Sequence, residues 1–369
     1  MIGCQEADAV SRVLVQDGYL GMGAEVQRFE EEVADFLGVP AHSVTAVSSG
    51  TAALHLAVEA SLDPGAEVLV QSLTYVATYQ AISGAGAIPV PCEVSPGTVT
   101  IDLADAKRRL TPRTRAIMPV HFASNPGDLD SIYRFASQHK LRVIEDAAHA
   151  FGCRHNGMMI GSLGDITCFS FDGVKNITTG EGGAIVTADP EVLMRVKDAR
   201  LLGVEKDTEN RFRGQRSWEF DVTRQGWRYH MSNVLAAIGR VQLSRFHKDF
   251  APARVRLARR YRENLADLKG IQLFETDLRE VVPHIQPLRI ADGRRDEIRA
   301  VLGAAGVQTG IHYKPNHLLS YYGGGLTSLP VTELLYTELL SLPLHPGLTE
   351  AEVDSICSLV RNVLVPQIK

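Results

Sequence analysis

The chain has 369 residues, of which 45% are hydrophobic and 22% are charged, and its formal net charge is -5. This length is enough for two domains, or for one large domain with a smaller appendage. The negative charge gives no electrostatic basis for nucleic-acid binding, and no apolar run approaches the length of a membrane span. The N-terminus lacks a secretory signal and the five cysteines form no C-x-x-C pair. We therefore expect a cytoplasmic protein with reduced thiols and no metal site.

The first half of the chain alternates short β-branched runs with amphipathic segments. In chain order, strands are predicted at residues 44–47, 67–70, 87–90, 116–120, 142–145, 166–171 and 184–187. Helices are predicted between several of them, at residues 52–60, 75–83, 103–110 and 129–139. This alternation predicts an α/β fold with a largely parallel sheet, in which ligands bind at the carboxyl ends of the strands.

The pattern changes at about Pro190 and again at Gly270. Helices are predicted at residues 190–202, 232–246 and 251–268, with a polar, poorly patterned stretch at 203–223. A smaller α+β unit follows, with strands near 272–275 and 284–289 and helices near 294–305, 331–340 and 349–363. The sequence therefore predicts a large domain at residues 1–250 and a small C-terminal domain at residues 251–369.

Lys175 is the first candidate functional residue. It lies between the apolar segment 166–169 and the glycine-rich turn 180–183. A lysine held between a strand end and a tight turn suits an amine that forms an imine with an aldehyde cofactor, pyridoxal phosphate (PLP) above all. A lysine taken alone is more often a solvated surface charge. The interpretation therefore depends on the residues that accompany it.

Asp146 ends the strongly apolar strand predicted at 142–145. A buried carboxylate needs a charged partner, and a protonated pyridine nitrogen would supply one. The alternative is a helix N-cap for the segment that starts at Ala147. His149 follows at a distance that could place it over the cofactor ring or near its phenolic oxygen. A lone histidine at such a position is more often a satisfied core residue.

A phosphate site is indicated where the first strand meets its helix. Small residues at 48–50 precede a helix that starts at about Thr51, so backbone N–H groups and the positive end of the helix dipole are available there. The alternative is an ordinary Ser/Thr helix cap. The Ser170 hydroxyl could add a donor, and Tyr75 could offer a flat face to a ring or be a core aromatic. Neither a P-loop nor a dinucleotide signature is present.

In these segments the chain resembles the DegT/DnrJ/StrS family of PLP-dependent nucleotide-sugar aminotransferases. The matching segments are residues 29–38, 49–54, 111–117, 119–121, 145–150, 170–183, 310–317 and 342–344. The resemblance implies the fold-type I aminotransferase architecture, in which a large domain with a seven-stranded, mostly parallel sheet carries a small α+β C-terminal domain. It also implies a homodimer with active sites at the subunit interface.

The resemblance implies roles for individual residues. Lys175 would be the Schiff-base lysine, Asp146 would partner the pyridine nitrogen, and His149 would lie near the phenolic oxygen. The residues that would contact the phosphate or stack on the ring are Gly50, Thr51, Ser170 and Tyr75. The residues that look like the segment near the sugar are His312, Tyr313 and His317.

Two positions depart from the family pattern. Many relatives have Gly-x-Asn-x-Arg-Met where this chain has residues 226–231, so Arg228 replaces an asparagine that commonly reaches the phosphate of the other subunit's cofactor. That contact is then either cationic or absent. Ser124 stands where glycine is usual after the strand.

The implied reaction is a two-stage transamination. L-Glutamate gives its amine to the cofactor and leaves as 2-oxoglutarate, and a keto nucleotide sugar then accepts the amine while Lys175 moves the proton. The turn at residues 178–183 matches relatives that act at C4, which favours amination of a 4-keto-6-deoxy sugar for amino-sugar biosynthesis. The alternatives are a C3 aminotransferase, a sugar dehydratase, and a non-catalytic PLP-binding regulator. Lys175 argues against the dehydratase, because some relatives of that kind have histidine there.

Overall fold

The computed structural model describes residues 2–364, and a seven-stranded sheet forms its centre. The strands of this sheet are β1 (Val44–Val47), β2 (Glu67–Gln71), β3 (Ile88–Cys92), β4 (Thr114–Met118), β5 (Arg142–Asp146), β8 (Ile166–Ser170) and β9 (Gly183–Thr187). Between β5 and β8 a short hairpin is made by β6 (Arg154–His155) and β7 (Met158–Met159).

The strand order of the large sheet is β1-β9-β8-β5-β4-β2-β3. Strand β9 pairs antiparallel with β1 and β8, whereas β3, β2, β4, β5 and β8 pair in parallel. The central strands β5 and β8 are buried at every residue except the partly exposed Arg142, as expected for strands that are covered on both faces. This arrangement brings the carboxyl ends of β1, β2, β4, β5 and β8 to one edge of the sheet.

Helices cover both faces of this sheet. Those in the first part of the chain are α1 (Cys4–Arg12), α2 (Ala24–Leu37), α3 (Gly50–Ser61), α4 (Val76–Gly84), α5 (Leu103–Arg108), α6 (Leu129–His139), α7 (Pro190–Ala199), α8 (Asp207–Phe212) and α9 (Asn233–Arg245). Helix α3 is buried along most of its length because alanine, leucine and valine occupy nearly all of its faces. Its first turn is capped by the Ser49 hydroxyl, which accepts a hydrogen bond from the Ala52 N–H at 3.0 Å.

A second sheet with its own hydrophobic core follows. Its elements are α10 (Ala251–Leu265), β10 (Ile271–Leu273), β11 (Gln286–Ile290), α11 (Arg295–Ala304), α12 (Pro330–Glu338), β12 (Leu339–Leu342) and α13 (Glu350–Leu364). The three strands pair antiparallel in the order β10-β11-β12. Tyr261, Leu288, Leu340 and Val353 are fully buried between this sheet and its helices.

The structure confirms the predicted α/β class and all seven predicted strands of the large sheet, with ends that differ by at most two residues. The predicted helix at 331–340 is wrong at its end, because the chain leaves the helix after Glu338 and residues 339–342 form β12. An apolar run of that length fits either structure, and pairing with the distant β11 decides it. Helices α1, α2 and α8 were not predicted from the sequence. Within residues 2–364, no helix has both the length and the apolar character that crossing a membrane requires.

Candidate active site

A cavity of about 430 Å³ lies at the carboxyl edge of the large sheet. Nine of the eleven predicted site residues line it, and these are Gly50, Thr51, Tyr75, Asp146, His149, Ser170, Lys175, His312 and Tyr313. They come from the ends of β1, β2, β5 and β8 and from the segment that follows α11. The topology therefore assembles in one place side chains that are far apart in sequence.

Close backbone packing shapes one end of the cavity. A Cβ atom on Gly50 would lie 2.7 Å from Cβ of Ser170, and a Cβ atom on Gly183 would lie 2.5 Å from the Ser49 carbonyl oxygen. Glycine at both positions lets the first turn of α3 sit directly against the ends of β8 and β9. The free N–H groups of that turn and the Ser170 hydroxyl thus meet at one point, which is the chemistry of an anion cradle.

Asp146 is a buried carboxylate at the end of β5. Its Oδ2 accepts a hydrogen bond from Thr78 Oγ1 at 2.8 Å, and its Oδ1 accepts one from the Ala148 N–H at 3.2 Å. Burial raises the pKa of Asp146, against the lowering effect of these hydrogen bonds and of Lys175. Among residues 2–364, no basic side chain forms an ion pair with it. The carboxylate is therefore prepared for a cationic or proton-donating group that enters the cavity.

Lys175 lies across the same cavity in the loop between β8 and β9. Its backbone N–H donates to the Asp172 carbonyl at 3.0 Å, which fixes the turn that carries it. Burial lowers the pKa of Lys175, while the negative charges of Asp146 and Asp172 act in the opposite direction. A lowered pKa increases the fraction of neutral, nucleophilic amine near neutral pH.

Histidine and tyrosine side chains form the opposite wall. The Tyr313 hydroxyl and His149 Nε2 are hydrogen-bonded at 3.0 Å, and the ring centroids of His149 and His284 are 4.4 Å apart. Burial, with the charge of Lys175 next in importance for His149, lowers the pKa of both histidines well below the usual value. Burial likewise lowers the pKa of His312 to about 4. This wall therefore presents neutral hydrogen-bonding groups and an aromatic surface, to which the exposed Tyr75 adds its ring at 5.6 Å from that of Tyr313.

Comparison with known proteins assigns the chain to a family. Residues 1–361 match the model of the DegT/DnrJ/EryC1/StrS aminotransferase family. The chain belongs to this family. Members of the family are PLP-dependent transaminases, so this chain is an enzyme of the aminotransferase class.

Individual family members are similar over almost their whole length. The chain is 37% identical to GDP-perosamine synthase of Caulobacter vibrioides, with 98% of this chain and 95% of that protein covered. It is 33% identical to the dTDP-4-dehydro-2,3,6-trideoxy-D-glucose 4-aminotransferase of Saccharopolyspora spinosa, with 96% and 93% covered. The crystal structure of the aminotransferase TlmJ from Streptoalloteichus hindustanus superposes with a TM-score of 0.89 at 34% identity, with 98% and 96% covered.

Two of the predicted site residues, His317 and Arg228, do not line the cavity. His317 is fully buried, where its Nδ1 is hydrogen-bonded to Ser72 Oγ at 2.7 Å and its Nε2 lies 3.2 Å from Glu333 Oε1. Arg228 is exposed and pairs through its backbone with Leu201. The single chain therefore uses His317 to join two parts of the fold and leaves Arg228 on the surface.

The cavity also contains residues that the sequence interpretation missed. Thr78 lies one helical turn after Tyr75 on α4, and this i, i+3 spacing was the signal that could have found it. Asp172 and Glu181 lie in the same loop as Lys175 and line the cavity. His284 enters from the segment before β11, and no local pattern marks it. Only the folded chain places it beside His149.

Proposed function

We propose that the chain binds PLP and transfers the amino group of L-glutamate to C4 of a 4-keto-6-deoxy nucleotide sugar, for amino-sugar biosynthesis. The observation that carries this proposal is the buried carboxylate of Asp146, which forms no ion pair with any residue from 2 to 364 and shares a cavity with the partly buried amine of Lys175. Amination at C4 is supported by the similarity to the Saccharopolyspora spinosa relative, which is a 4-aminotransferase. The turn at residues 178–183, which is typical of relatives that act at C4, supports the same position.

The donor groups of the cavity fit this cofactor. Asp146 would hold the pyridine nitrogen, while the cradle at Gly50, Thr51 and Ser170 would hold the phosphate. Tyr75 would offer an aromatic surface to the ring. PLP bound there would supply an aldehyde that condenses with amines and a ring that accepts electrons from the bond that breaks.

The side chains of the cavity have defined tasks in this reaction. Lys175 would supply the neutral amine that holds the cofactor aldehyde, and its Nζ would take the proton from the Cα of glutamate. Asp146 would stabilise positive charge at the ring nitrogen, and the hydrogen bond from Thr78 fixes the orientation of that carboxylate. The neutral wall of His149 and Tyr313 would restrict water and offer hydrogen bonds to hydroxyl groups of a sugar. His312 would extend this wall toward the sugar.

The quaternary arrangement belongs to the same proposal. We propose a homodimer in which exposed Arg228 of one subunit approaches the phosphate bound in the other, because an arginine suits a phosphate contact. Exposed apolar side chains such as Val15, Trp218 and Phe220 support a covering second copy.

We also propose the division into domains at about residue 250. Five free cysteines, four of them buried, support a reducing, cytoplasmic location.

A product assay tests the proposed activity. Purified protein is supplied with PLP, 15N-labelled L-glutamate and separate dTDP, UDP and GDP keto sugars, with the ketone at C4 or at C3. We expect mass spectrometry to find the label in a 4-amino product and to find 2-oxoglutarate in equal amount. Labelling of a 3-amino product would move the reaction to C3. A product that has lost oxygen without gaining nitrogen would indicate the dehydratase.

The Lys175→Ala variant tests the role of the lysine. We expect it to lose the glutamate-dependent absorbance change of the cofactor and the labelled product together, because no other described amine lines the cavity. Wild-type protein that binds PLP but gives neither signal with any sugar would favour the non-catalytic regulator. Full activity in Lys175→Ala would contradict the assignment.

A further inference from the structure

Ser124 is a fully buried residue whose hydroxyl joins two segments of the cavity wall. Its Oγ donates a hydrogen bond to the His149 carbonyl at 2.5 Å and accepts one from the His284 N–H at 2.9 Å. These two histidines are separated by 135 positions in the sequence, so the hydroxyl is a long-range link. The φ angle of Ser124 is 73°, in the left-handed region that favours glycine. A side chain that is kept there despite the strain indicates a use for its oxygen.

Arg254 makes a second link from the side of α10. It is 3% exposed, and its Nη1 donates to the carbonyls of His284 at 3.0 Å and Leu344 at 3.1 Å. Its Nη2 donates to the Lys175 carbonyl at 3.4 Å. Burial lowers the pKa of Arg254 to about 10, and none of the described acidic side chains forms an ion pair with it. A buried cation without an acidic partner is costly. Arg254 instead donates hydrogen bonds to backbone carbonyls, and two of these belong to Lys175 and His284, which line the cavity.

The two links meet at His284. Ser124 holds the N–H of this residue and Arg254 holds its carbonyl, so the peptide groups on both sides of its side chain are fixed. Each link also holds one further site residue, since Ser124 binds the carbonyl of His149 and Arg254 binds that of Lys175. The ring of His284 packs against the ring of His149, which in turn is hydrogen-bonded to Tyr313. An otherwise separate segment of the chain thereby becomes part of the cavity wall.

We propose that Ser124 and Arg254 are positioning residues for the transamination: they fix His284, and the ring of His284 holds His149 in place beside the bound cofactor. This inference rests on the proposed binding of PLP in the cavity. It adds three residues, none of which contributes a charge to the reaction. Their contribution is the fixed geometry of the wall, and misplacement of site groups by about 1 Å can cost as much as 100-fold in rate.

The first experiment distinguishes the effect of losing the Ser124 hydroxyl from the effect of the strained backbone at this residue. Ser124→Gly removes Oγ and relieves the strained φ angle, whereas Ser124→Ala removes Oγ and keeps the strain. For both variants we expect the single-turnover rate with L-glutamate to fall about 10-fold, and the circular dichroism band of the bound cofactor to change. The melting temperature of the cofactor-free Ser124→Gly protein should stay at or above that of Ser124→Ala. Wild-type rate and dichroism in both variants would overturn the proposal.

The second experiment tests the ring of His284. His284→Phe keeps a ring in contact with His149, and His284→Ala removes it. We expect the phenylalanine variant to retain the wild-type dichroism band and most of the rate, and the alanine variant to lose both to the extent seen for Ser124→Gly. Equal losses in the two variants would show that ring packing is not the means of action. Arg254→Lys, which keeps the charge but not the forked set of donors, should resemble His284→Ala.

The outcome for wild-type protein keeps this inference separate from the proposed function. If wild-type protein shows no cofactor absorbance that responds to L-glutamate, the proposed function fails first. If wild-type protein responds and the variants respond equally well, only the positioning role fails. A purely structural role would lower the melting temperature while leaving unchanged the dichroism per bound cofactor.

Discussion

The cavity at the sheet edge is not the largest one in the molecule. A cavity of about 790 Å³ lies between the end of α3, α7 and the polar stretch after Gly203, whereas the candidate active site encloses about 430 Å³. The lining of the larger cavity includes exposed residues of both charges, such as Asp63, Glu205 and Arg224. The smaller one combines a buried carboxylate that makes no ion pair among the described residues, a lysine with lowered pKa and neutral buried histidines. Buried titratable groups with shifted pKa values, and not volume, distinguish the site.

The largest difference in rate between the two cavities is expected when one aspartate of each cavity is replaced by asparagine. Asp146→Asn should lower the rate of the glutamate half-reaction by about 100- to 1000-fold, because a fixed charge aimed at the reacting group is lost. Asp198→Asn is the matched control, since Asp198 lines the larger cavity and burial also raises its pKa. It should leave the rate unchanged. Stopped-flow absorbance measures both variants, and a comparable loss in Asp198→Asn would remove the distinction between the cavities.

Much of the candidate site could be predicted from sequence because its residues lie at strand ends. Once the strand order is set, Asp146 at the end of β5 and Ser170 at the end of β8 must meet at one edge. The remaining residues depend on contacts that no local pattern encodes. Ser124 reaches His284 across 160 positions through a backbone N–H, and any residue type at 284 would offer the same N–H group.

The position of His317 outside the cavity and the wrong helix end at residues 339–340 have a common origin in contacts that are distant in sequence. His317 is near His312 in sequence, but it belongs to a short 3₁₀ helix at Asn316–Leu318 and its ring is turned inward to Ser72. The segment 339–342 is apolar enough for a helix or a strand, and only its partner β11 makes it a strand. Local sequence therefore predicts neither the direction in which a side chain points nor the partner with which a segment pairs.

A smaller effect is expected for a threonine of the candidate active site, with a threonine of the larger cavity as its control. Thr78→Val keeps the shape of the side chain but removes the hydrogen bond to Asp146, and we expect the half-reaction rate to fall about 10-fold because one hydrogen bond to a charged group is lost. Thr208→Val is the control, because Thr208 is a buried threonine that lines the larger cavity. Rates of the two variants at saturating glutamate test the contrast. Equal rates would mean that Asp146 is oriented without Thr78.

The charge around Lys175 makes a pH-dependent prediction. The negative charge of Asp172 raises the pKa of Lys175 against the effect of burial, so Asp172→Asn should lower this pKa further. Lysine reacts as the neutral amine, so the pH profile for capture of PLP by cofactor-free protein should shift to lower pH, by about one unit or less. Glu181→Gln changes another acidic residue of the same cavity and should shift the profile less. A shift to higher pH in Asp172→Asn would contradict this sign.

The smallest effect concerns stability in acid. Burial lowers the pKa of His312 to about 4 in the folded protein, whereas an unfolded histidine titrates near pH 6.5. Between these values the unfolded chain binds the extra proton, so stability is present above about pH 6.5 and is lost as the pH falls toward 4. His312→Asn should make the free energy of unfolding less dependent on pH in this range. The slope should change by at most the contribution of one proton, which is about 1.4 kcal/mol per pH unit. His42→Asn, at an exposed histidine of the larger cavity, should leave the pH dependence of urea unfolding unchanged. An equal change in both variants would show that the wall of the active site does not hold its histidines neutral.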